Sequence, residues 1–402
     1  MKKIVTLAAA ALVACATASS AQRVREVPAR PRLWAGADTN SASAYYLLGV
    51  QSLERDTRAS AAAFYWAERL APGWPDALYG RYVALLMSDP RRLEQYEMRR
   101  GGIERNPEVL AIDSLYYRAV QRDPFLHRKL EKPYLMTFFR NVYAAAIRRE
   151  TGTRDEAAAE YLMQNLMRDT DPGVRAWVAY ADGRFPAALQ YYEQVLRRER
   201  HPVWLRLRVG QMHYLSGNYP QAAEHLRLGI DALRQADRRD VVRVYESKAV
   251  LEYSLAAALE GAGNADAARE AYGRALQEDL AFWPGHRRMA ALAAARGDTA
   301  TALAELALAV EIAPGEADLR YEYGYLLLAS HKGLESAAQM KKATEIDPYY
   351  AAPHFFLAAM NDASGVAEDA LEHYRAFLAR AATDDSHLAQ ARARVAALSA
   401  GN

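Results

Sequence analysis

The sequence predicts an all-α fold built as a solenoid of stacked antiparallel helix pairs, and the main observation is a repeat. Small residues recur within similar phrases, at separations of 34, 46, 34, 34 and 34 residues. They are Ala188, Ala222, Ala268, Ala302, Ser336 and Ala370. The 402-residue length is too great for one compact core, and an apolar content of 51% suits packed helices. A fixed period near 34 residues is typical of stacked helical units.

Each phrase has the same internal order, which predicts a turn followed by a close helix crossing. A glycine often lies five residues before the small residue, as Gly183 does before Ala188. Glycine permits the positive φ at which a helix closes and turns. A small residue lets two helices approach closely, and a bulky residue four positions later fills the adjacent groove. Pro314 and Pro348 end two of these helices.

This order of residues resembles that of the tetratricopeptide repeat family. The strongest units are Val241 to Leu280, Trp283 to Pro314 and Ala317 to Pro348. The resemblance implies an all-α, right-handed α-solenoid of stacked antiparallel helix pairs, with a repeat array over 139–382. One step of the array carries 12 extra residues, within Leu233 to Glu246.

Outside the array the chain follows the period less closely. Residues 41–138 are expected to form an N-terminal helical region with one or two degenerate units, the clearer at 41–72. Residues 383–402 are expected to form a capping helix and tail. Leu388, Ala391, Val395 and Leu398 make one apolar stripe on that helix, opposite Arg392 and Arg394. Such a helix would close the end of a solenoid with a polar surface.

The first 21 residues have the organisation of a bacterial secretory signal. Lys2 and Lys3 precede an apolar run from Ile4 to Ala14, and small residues follow to Ala21. Leu12-Val13-Ala14-Cys15 is similar to the lipobox of bacterial lipoproteins, which implies lipidation of Cys15. The alternative is cleavage after Ala21, and both interpretations stay open. Either predicts an exported protein, periplasmic or held at the outer membrane by a lipid anchor. Residues 22–40, rich in Arg and Pro, are expected to be a flexible linker.

The charge balance argues against nucleic acid as a partner, and the hydropathy argues against a transmembrane helix. The chain has 51 basic and 49 acidic residues, and loss of Lys2 and Lys3 with the signal leaves 49 of each. Nucleic-acid-binding proteins carry a basic face, so nucleic acid is not an expected partner. No segment after the signal reaches the 18 apolar residues of a transmembrane helix.

Sequence signatures of catalysis are also missing. The nine histidines lie singly, and the only cysteine lies in the signal, so neither a metal site nor a cofactor is expected. The patterns H-E-x-x-H and G-x-S-x-G and the P-loop are absent. The chain is therefore not expected to be an enzyme.

The family resemblance implies a concave groove lined by the first helix of each pair. Ten positions carry over as groove residues: Trp177, Tyr180, Trp204, Leu207, Tyr214, Tyr253, Arg287, Tyr321, Tyr325 and Phe355. Only Arg287 among them is basic, which argues against capture of a terminal carboxylate. Aromatic side chains are frequent binding hot spots, although several of these would serve equally for packing between repeats.

Three functions are compatible with these observations. The favoured one is an exported scaffold that binds a protein or peptide partner at the cell envelope through the aromatic groove. The alternatives are a fixed structural subunit of a larger envelope complex and an envelope hydrolase whose chemistry lies in residues 90–138.

Overall fold

A computed structural model describes residues 27–88, 107–126, 147, 150–152, 155–198, 203–237 and 248–400. All regular secondary structure in these ranges is helical. Residues 1–26 lie outside the described residues, so the predicted signal and Cys15 stay predictions. Of the described helices, none has the length and hydrophobicity to cross a bilayer.

The described helices are numbered here in chain order. They are α1 (Ala42–Ser52), α2 (Thr57–Leu70), α3 (Pro75–Met87), α4 (Pro107–Arg122), α5 (Glu156–Met167), α6 (Pro172–Ala181), α7 (Phe185–Arg198), α8 (Val203–Leu215), α9 (Tyr219–Asp237), α10 (Lys248–Gly261), α11 (Ala265–Glu278), α12 (Trp283–Ala295), α13 (Thr299–Ile312), α14 (Ala317–Ala329), α15 (Gly333–Ile346), α16 (Ala351–Ala363), α17 (Ala367–Arg380) and α18 (Leu388–Ala400). From α6 to α17 these helices pack as consecutive pairs, and each pair packs on the next. The predicted fold class is confirmed for the described residues.

The turn inside each pair has one repeated geometry. Gly183, Gly217, Gly263, Gly297 and Gly365 have φ between 73° and 78°. The next residue donates its N–H to a carbonyl five positions earlier, as Asn264 does to Leu259 at 2.9 Å. This bond satisfies a carbonyl that the end of the helix would leave without a partner. The α14–α15 turn departs from the pattern, because His331 takes the left-handed conformation at φ 59°.

The repeated small residues lie at the helix crossings, as their spacing predicts. Ala188, Ala222, Ala268, Ala302, Ser336 and Ala370 are all 0% exposed. The Ser336 hydroxyl donates a 2.7 Å hydrogen bond to the Gly324 carbonyl, so its polar atom is satisfied in the core. A larger side chain at these positions would force the two helices apart.

The 12 additional residues of the array fall partly in a longer helix. α9 has 19 residues, whereas α7 and α11 have 14 each. Residues 238–247 lie outside the described residues. Across this step α9 and α10 still pack directly, through Leu226, Ile230 and Ala249.

Helices α1 to α4 form a separate N-terminal module with its own core. Phe64 is fully buried between α1 and α3, where a Cβ on Gly49 or Gly80 would lie only 2.8 Å or 2.6 Å from its ring. Helix α4 adds Ile112 and Leu115 to the same core. We call the described residues 27–88 and 107–126 the N-terminal module and α6–α17 the array.

The described part of residues 22–40 is packed rather than free, which corrects the expectation of a flexible linker there. Leu33 is buried, and the Trp66 indole N–H donates to the Pro28 carbonyl at 3.0 Å. The Asn40 amide donates to the carbonyls of Ala379 and Ala381, at 3.1 and 3.2 Å. Aromatic and cation–π contacts outweigh the Arg/Pro composition on which the linker prediction depended. This segment of the N-terminal module therefore lies against α2 and also bonds the end of α17.

The last helix covers the end of the array. Leu388 and Ala391 are buried against α17, and Val395 and Leu398 are partly buried beside them. Arg394 lies on the other side and forms a bidentate pair with Asp362, at 2.6 and 2.7 Å.

Candidate partner-binding face

The first helices of the pairs, α8, α10, α12, α14 and α16, contribute side chains to one continuous surface, which we call the first-helix face. Contacts between neighbouring helices define it. Arg287 on α12 pairs with Glu322 on α14, with Nε and Oε2 2.8 Å apart. Tyr321 on α14 in turn lies 5.9 Å from Phe356 on α16, between ring centroids.

The ten predicted groove residues divide by their exposure. Trp204 and Tyr325 are the most exposed, at 57% and 51%. Trp177, Leu207, Tyr214, Arg287 and Tyr321 are half-buried. Leu207 packs against Gly229 of α9, where a Cβ would lie 2.6 Å from its Cδ2. Leu207 therefore serves contact within its helix pair, while the aromatic members leave ring surface accessible.

The remaining three predicted positions, Tyr180, Tyr253 and Phe355, are buried and do not present a free ring. Their exposures are 2%, 5% and 5%. His387, which precedes α18, covers Phe355 at a centroid distance of 4.2 Å. Tyr253 lies 5.3 Å from both Tyr272 and Phe282. For Tyr253 and Phe355, contacts from Phe282 before α12 and from His387 before α18 add to the packing within their own helix pairs, and the repeat does not encode these two contacts.

One cavity on this face lies between α12 and α14 and has a volume of about 430 Å³. Its floor consists of small side chains, Ala290, Ala291 and Ala294, and Tyr321 and Tyr325 form a wall. Arg287 and Glu322 neutralise each other at its edge. A shallow alanine floor beside tyrosines accommodates an apolar side chain, and the tyrosine hydroxyls remain available for hydrogen bonds.

Phe356 and Tyr350 extend this aromatic surface, and the sequence prediction did not include them. Phe356 lies 5.5 Å from Tyr325, and Tyr350 lies 5.3 Å from Tyr321. In the sequence, the Phe355-Phe356 dipeptide is the one indication that a second aromatic residue of α16 lies on the surface. Neighbouring residues of a helix face different directions, so the two rings cannot both be covered in the same way. With Phe355 under His387, Phe356 is the residue of the two that reaches Tyr321.

The N-terminal module occupies another part of the first-helix face. The Arg122 guanidinium bonds both carboxylate oxygens of Asp318, at 2.9 Å each, and Glu316 at 2.5 Å. Its carbon Cζ lies 5.0 Å from the Trp283 ring centroid. Arg118 adds two bonds to Glu316, at 3.0 and 3.1 Å. The acidic residues at the start of α14 are therefore already paired within the chain.

A second cavity, of about 630 Å³, lies where this module meets the array. Residues 121–125 form one wall, and Tyr214, Tyr253, Trp283 and Arg288 form others. The Phe125 ring stacks on Tyr214 with centroids 3.6 Å apart. Burial raises the pKa of Tyr253 to about 12, so its hydroxyl stays protonated at physiological pH.

Electrostatics distinguish two acidic groups at the contact between module and array. Burial alone would raise the pKa of Glu316, but Arg118 and Arg122 outweigh it and hold that pKa below its usual value. For Asp347, burial dominates and raises the pKa to about 7, even though Arg69 and the Tyr349 N–H lower it. Arg69 lies 3.2 Å from Asp347. Glu316 therefore stays ionised, whereas Asp347 titrates near neutral pH.

Across the described parts of the chain, groups of three or more His, Cys, Asp or Glu side chains suited to a metal ion are not found. Four of the described histidines meet in twos across helix pairs. His354 and His373 place their Nδ1 atoms 3.2 Å apart, and the rings of His213 and His225 stack with centroids 5.2 Å apart. Burial lowers the pKa of His354 to about 4, which keeps it neutral in the core of the last pair.

The fold defined by these contacts is an α-solenoid of helix pairs with an accessible first-helix face. The model of the tetratricopeptide repeat family matches residues 179–243, which include α7, α8 and α9. No curated protein matches the sequence.

Solved structures give low similarity over parts of the chain. The protein YrrB, described as a TPR protein with an unusual peptide-binding site, has 15% identity and a TM-score of 0.40, covering 52% of this chain and all of its own. The C-terminal part of a TPR repeat-containing protein from Cytophaga hutchinsonii has 13% identity and a TM-score of 0.43, covering 50% of this chain and 76% of its own. MamA from Desulfovibrio magneticus RS-1 has 20% identity and a TM-score of 0.36, covering 44% of this chain and 93% of its own.

Proposed function

We propose that this protein is an exported scaffold that binds a peptide or helix of a partner protein on its first-helix face, at the bacterial cell envelope. The observation that carries the binding role is the free aromatic surface on α14 and α16. Tyr321 and Tyr325 form the wall of an alanine-floored cavity, Phe356 packs beside Tyr325, and Tyr325 is 51% exposed. Exposed aromatic groups beside a cavity mark binding sites, because they bury a large area with little loss of conformational entropy.

The charge distribution at this cavity favours an apolar anchor over a charged one. Arg287 is the only basic side chain among the predicted groove residues, and Glu322 pairs with it. A partner carboxylate would have to break that pair before it could bind Arg287. A partner side chain such as Leu, Met or Phe would instead fill the space over Ala290 and Ala294.

Substitution of the aromatic wall tests this function. The double variant Tyr321→Ala/Tyr325→Ala removes the cavity wall while leaving the helix crossings at Ala302 and Ser336 unchanged. A matched control is Leu334→Ala, because Leu334 is 89% exposed and lies on α15, the second helix of the same pair. Purification of each variant from the native host should show the partner lost only from the tyrosine variant. Partner recovery equal to wild type in a folded tyrosine variant would exclude this site.

Export to the envelope is part of the same proposal and is supported by residues 1–21. Cell fractionation with and without this segment tests the export. Labelling with a palmitate analogue, compared between wild type and Cys15→Ala, distinguishes a lipid anchor at Cys15 from cleavage after Ala21. Incorporation of label into wild type alone supports the anchor, whereas a soluble periplasmic product without label supports simple cleavage.

A further inference from the structure

Three side chains at the end of α4 and in the turn after it contact the first-helix face. Arg118 and Arg122 lie four positions apart on α4, and Phe125 follows three positions later, beyond the end of the helix. Positions i and i+4 lie on one face of a helix, so the two arginines at the end of α4 reach the same partner surface, and Phe125 lies in the turn that follows α4. Arg118 pairs with Glu316, Arg122 with Asp318, and Phe125 stacks on Tyr214.

The site that receives Arg122 has specific geometry. We call Trp283, Glu316 and Asp318 the arginine pocket. The Arg122 side chain is only 1% exposed, and its guanidinium is bonded by two carboxylates and lies over an indole ring. Planar, bidentate pairing with a carboxylate and stacking on an aromatic ring are the two interactions that distinguish Arg from Lys. The arginine pocket therefore selects arginine.

The turn between α2 and α3 of the N-terminal module also covers the arginine pocket. A Cβ on Gly73, between α2 and α3, would lie 2.4 Å from the Asp318 carboxylate and 2.9 Å from Arg122 Cζ. Gly73 has φ of 80°, so glycine is required for both space and conformation. The turn covers the carboxylate without supplying a charge of its own.

The contact between α4 and the array consists of side chains. Among the described residues, backbone-to-backbone hydrogen bonds do not join residues 107–126 to the array. Helix α4 keeps its own core contacts with α3 through Ile112, Leu115 and Ala119. The contact also has an apolar part, because Phe125 is 3% exposed and belongs to the core around Tyr253 and Tyr272. Interfaces between domains of one chain resemble those of transient complexes, so exchange of α4 for a partner helix is the step that the experiment below tests.

We infer that the arginine pocket is a receptor site for a helix whose last turns carry arginines at i and i+4, with an aromatic residue in the turn three positions after the second arginine, and that α4 with Phe125 is its occupant in the resting protein. A partner with the same three anchors would displace α4 and bind in its place. This inference rests on the proposed binding function and assigns the chemistry of the partner at this part of the face: an amphipathic, arginine-bearing helix.

A peptide with the sequence of residues 107–126 tests the inference in the full-length protein. The variant Arg118→Glu/Arg122→Glu places carboxylates against Glu316 and Asp318, which expels its own helix from the pocket. A tethered occupant acts at an effective concentration of about millimolar, so wild type should resist the added peptide. Fluorescence anisotropy should show the labelled peptide binding the variant at least tenfold more tightly than wild type.

Two controls keep the outcome decisive. Adding Asp318→Lys to the double variant should abolish peptide binding, and a peptide with Glu at both arginine positions should not bind either variant. If circular dichroism shows that the double variant does not fold, Arg122→Gln provides the milder release. Equal affinity for wild type and the released variant, or binding to neither, would overturn the inference. The proposed function is tested separately, since loss of the native partner from Tyr321→Ala/Tyr325→Ala does not involve this peptide.

Discussion

His331 occupies the turn position that glycine takes in five other helix pairs. His331 has φ of 59°, and its side chain is exposed. Replacing it with glycine therefore removes no buried side chain. A non-glycine residue in this conformation is strained, although glycine costs more entropy on folding. We predict that His331→Gly stabilises the protein by about 0.5–1 kcal/mol in urea denaturation. The matched change Gly297→Ala should destabilise by about 1 kcal/mol, and an unstable His331→Gly variant would contradict this account of the turn.

Asp347 gives the protein a specific pH dependence. Its pKa is raised to about 7, mainly by burial, with Arg69, Glu68 and the Tyr349 N–H as its charged and polar neighbours. Since the folded pKa exceeds the unfolded value, the folded state holds a proton that the unfolded state releases between about pH 4 and pH 7. Stability from this group is therefore greatest at low pH and is lost as pH rises toward 7.

The measurement for Asp347 is a comparison with Asp347→Asn. The free energy of unfolding of wild type should fall relative to that of the variant by on the order of 1 kcal/mol between pH 5 and pH 8. A difference that is constant over this range, or that changes in the opposite direction, would show that Arg69 controls Asp347 instead of burial.

The individual helices differ in how they begin. Asn264 and Asp298 cap α11 and α13, where their side chains accept hydrogen bonds from the N–H groups of Ala267 and Thr301. Val366 holds the same position before α17, with φ −88° and ψ 75°, and has no side-chain cap. Asp298 has φ −81° and ψ 73°, so the backbone at Val366 already suits a capping residue.

We therefore predict that Val366→Asn stabilises the protein by about 0.5–1 kcal/mol. Asparagine is chosen over aspartate because Glu368 and Asp369 already place two negative charges in the first turn of α17. Thermal denaturation of wild type, Val366→Asn and the reverse change Asn264→Ala measures the effect, with Asn264→Ala expected to lose a similar amount. A lower midpoint for Val366→Asn would mean that the exposed valine makes a contact that matters more than the cap.

The sequence predicts the individual helix pairs well, because the residues that form each pair follow local rules. Glycine, the small crossing residue and the bulky residue are local requirements of each helix pair, so their spacing predicts Ala268 in the core. Phe282, before the next pair, and His387, before α18, add to the burial of Tyr253 and Phe355 beyond the contacts of their own pairs. The repeat spacing places these residues at equivalent positions of the first helices. It does not show at which of those positions another part of the chain covers the side chain.

At the scale of the whole molecule, a buried ion pair joins the N-terminal module to the array. Asp318 is 7% exposed, and Arg122 is its bidentate partner. Removal of one member of a buried pair leaves an uncompensated charge, which costs about 3 kcal/mol or more. We predict this loss for Arg122→Met in urea denaturation and a smaller loss for Arg122→Met/Asp318→Asn. Additive losses in the double variant would show that the two side chains do not interact.

The contact between residues 38–40 and residues 379–383 was not predictable from the sequence. Asn40 and Asp38 reach Ala379, Ala381 and Thr383, which are more than 330 residues away. The composition of 22–40 predicts a linker, because arginine and proline are common in exposed segments. In the structure, Arg30 instead lies over the rings of Tyr45 and Trp66, at 5.3 and 4.9 Å. The same segment bonds the end of α17 through Asn40.

The central claim is that the first-helix face binds a partner, and site-specific photo-crosslinking in the native host tests it most directly. A photoreactive phenylalanine derivative at position 325 would lie on the face, and the same residue at position 334 would lie on α15, the second helix of that pair. We predict one discrete adduct at position 325, its loss when Tyr321→Ala is added, and no such adduct at position 334. The same adduct from both positions, or an adduct at 325 that persists with Tyr321→Ala, would contradict the assignment of this face.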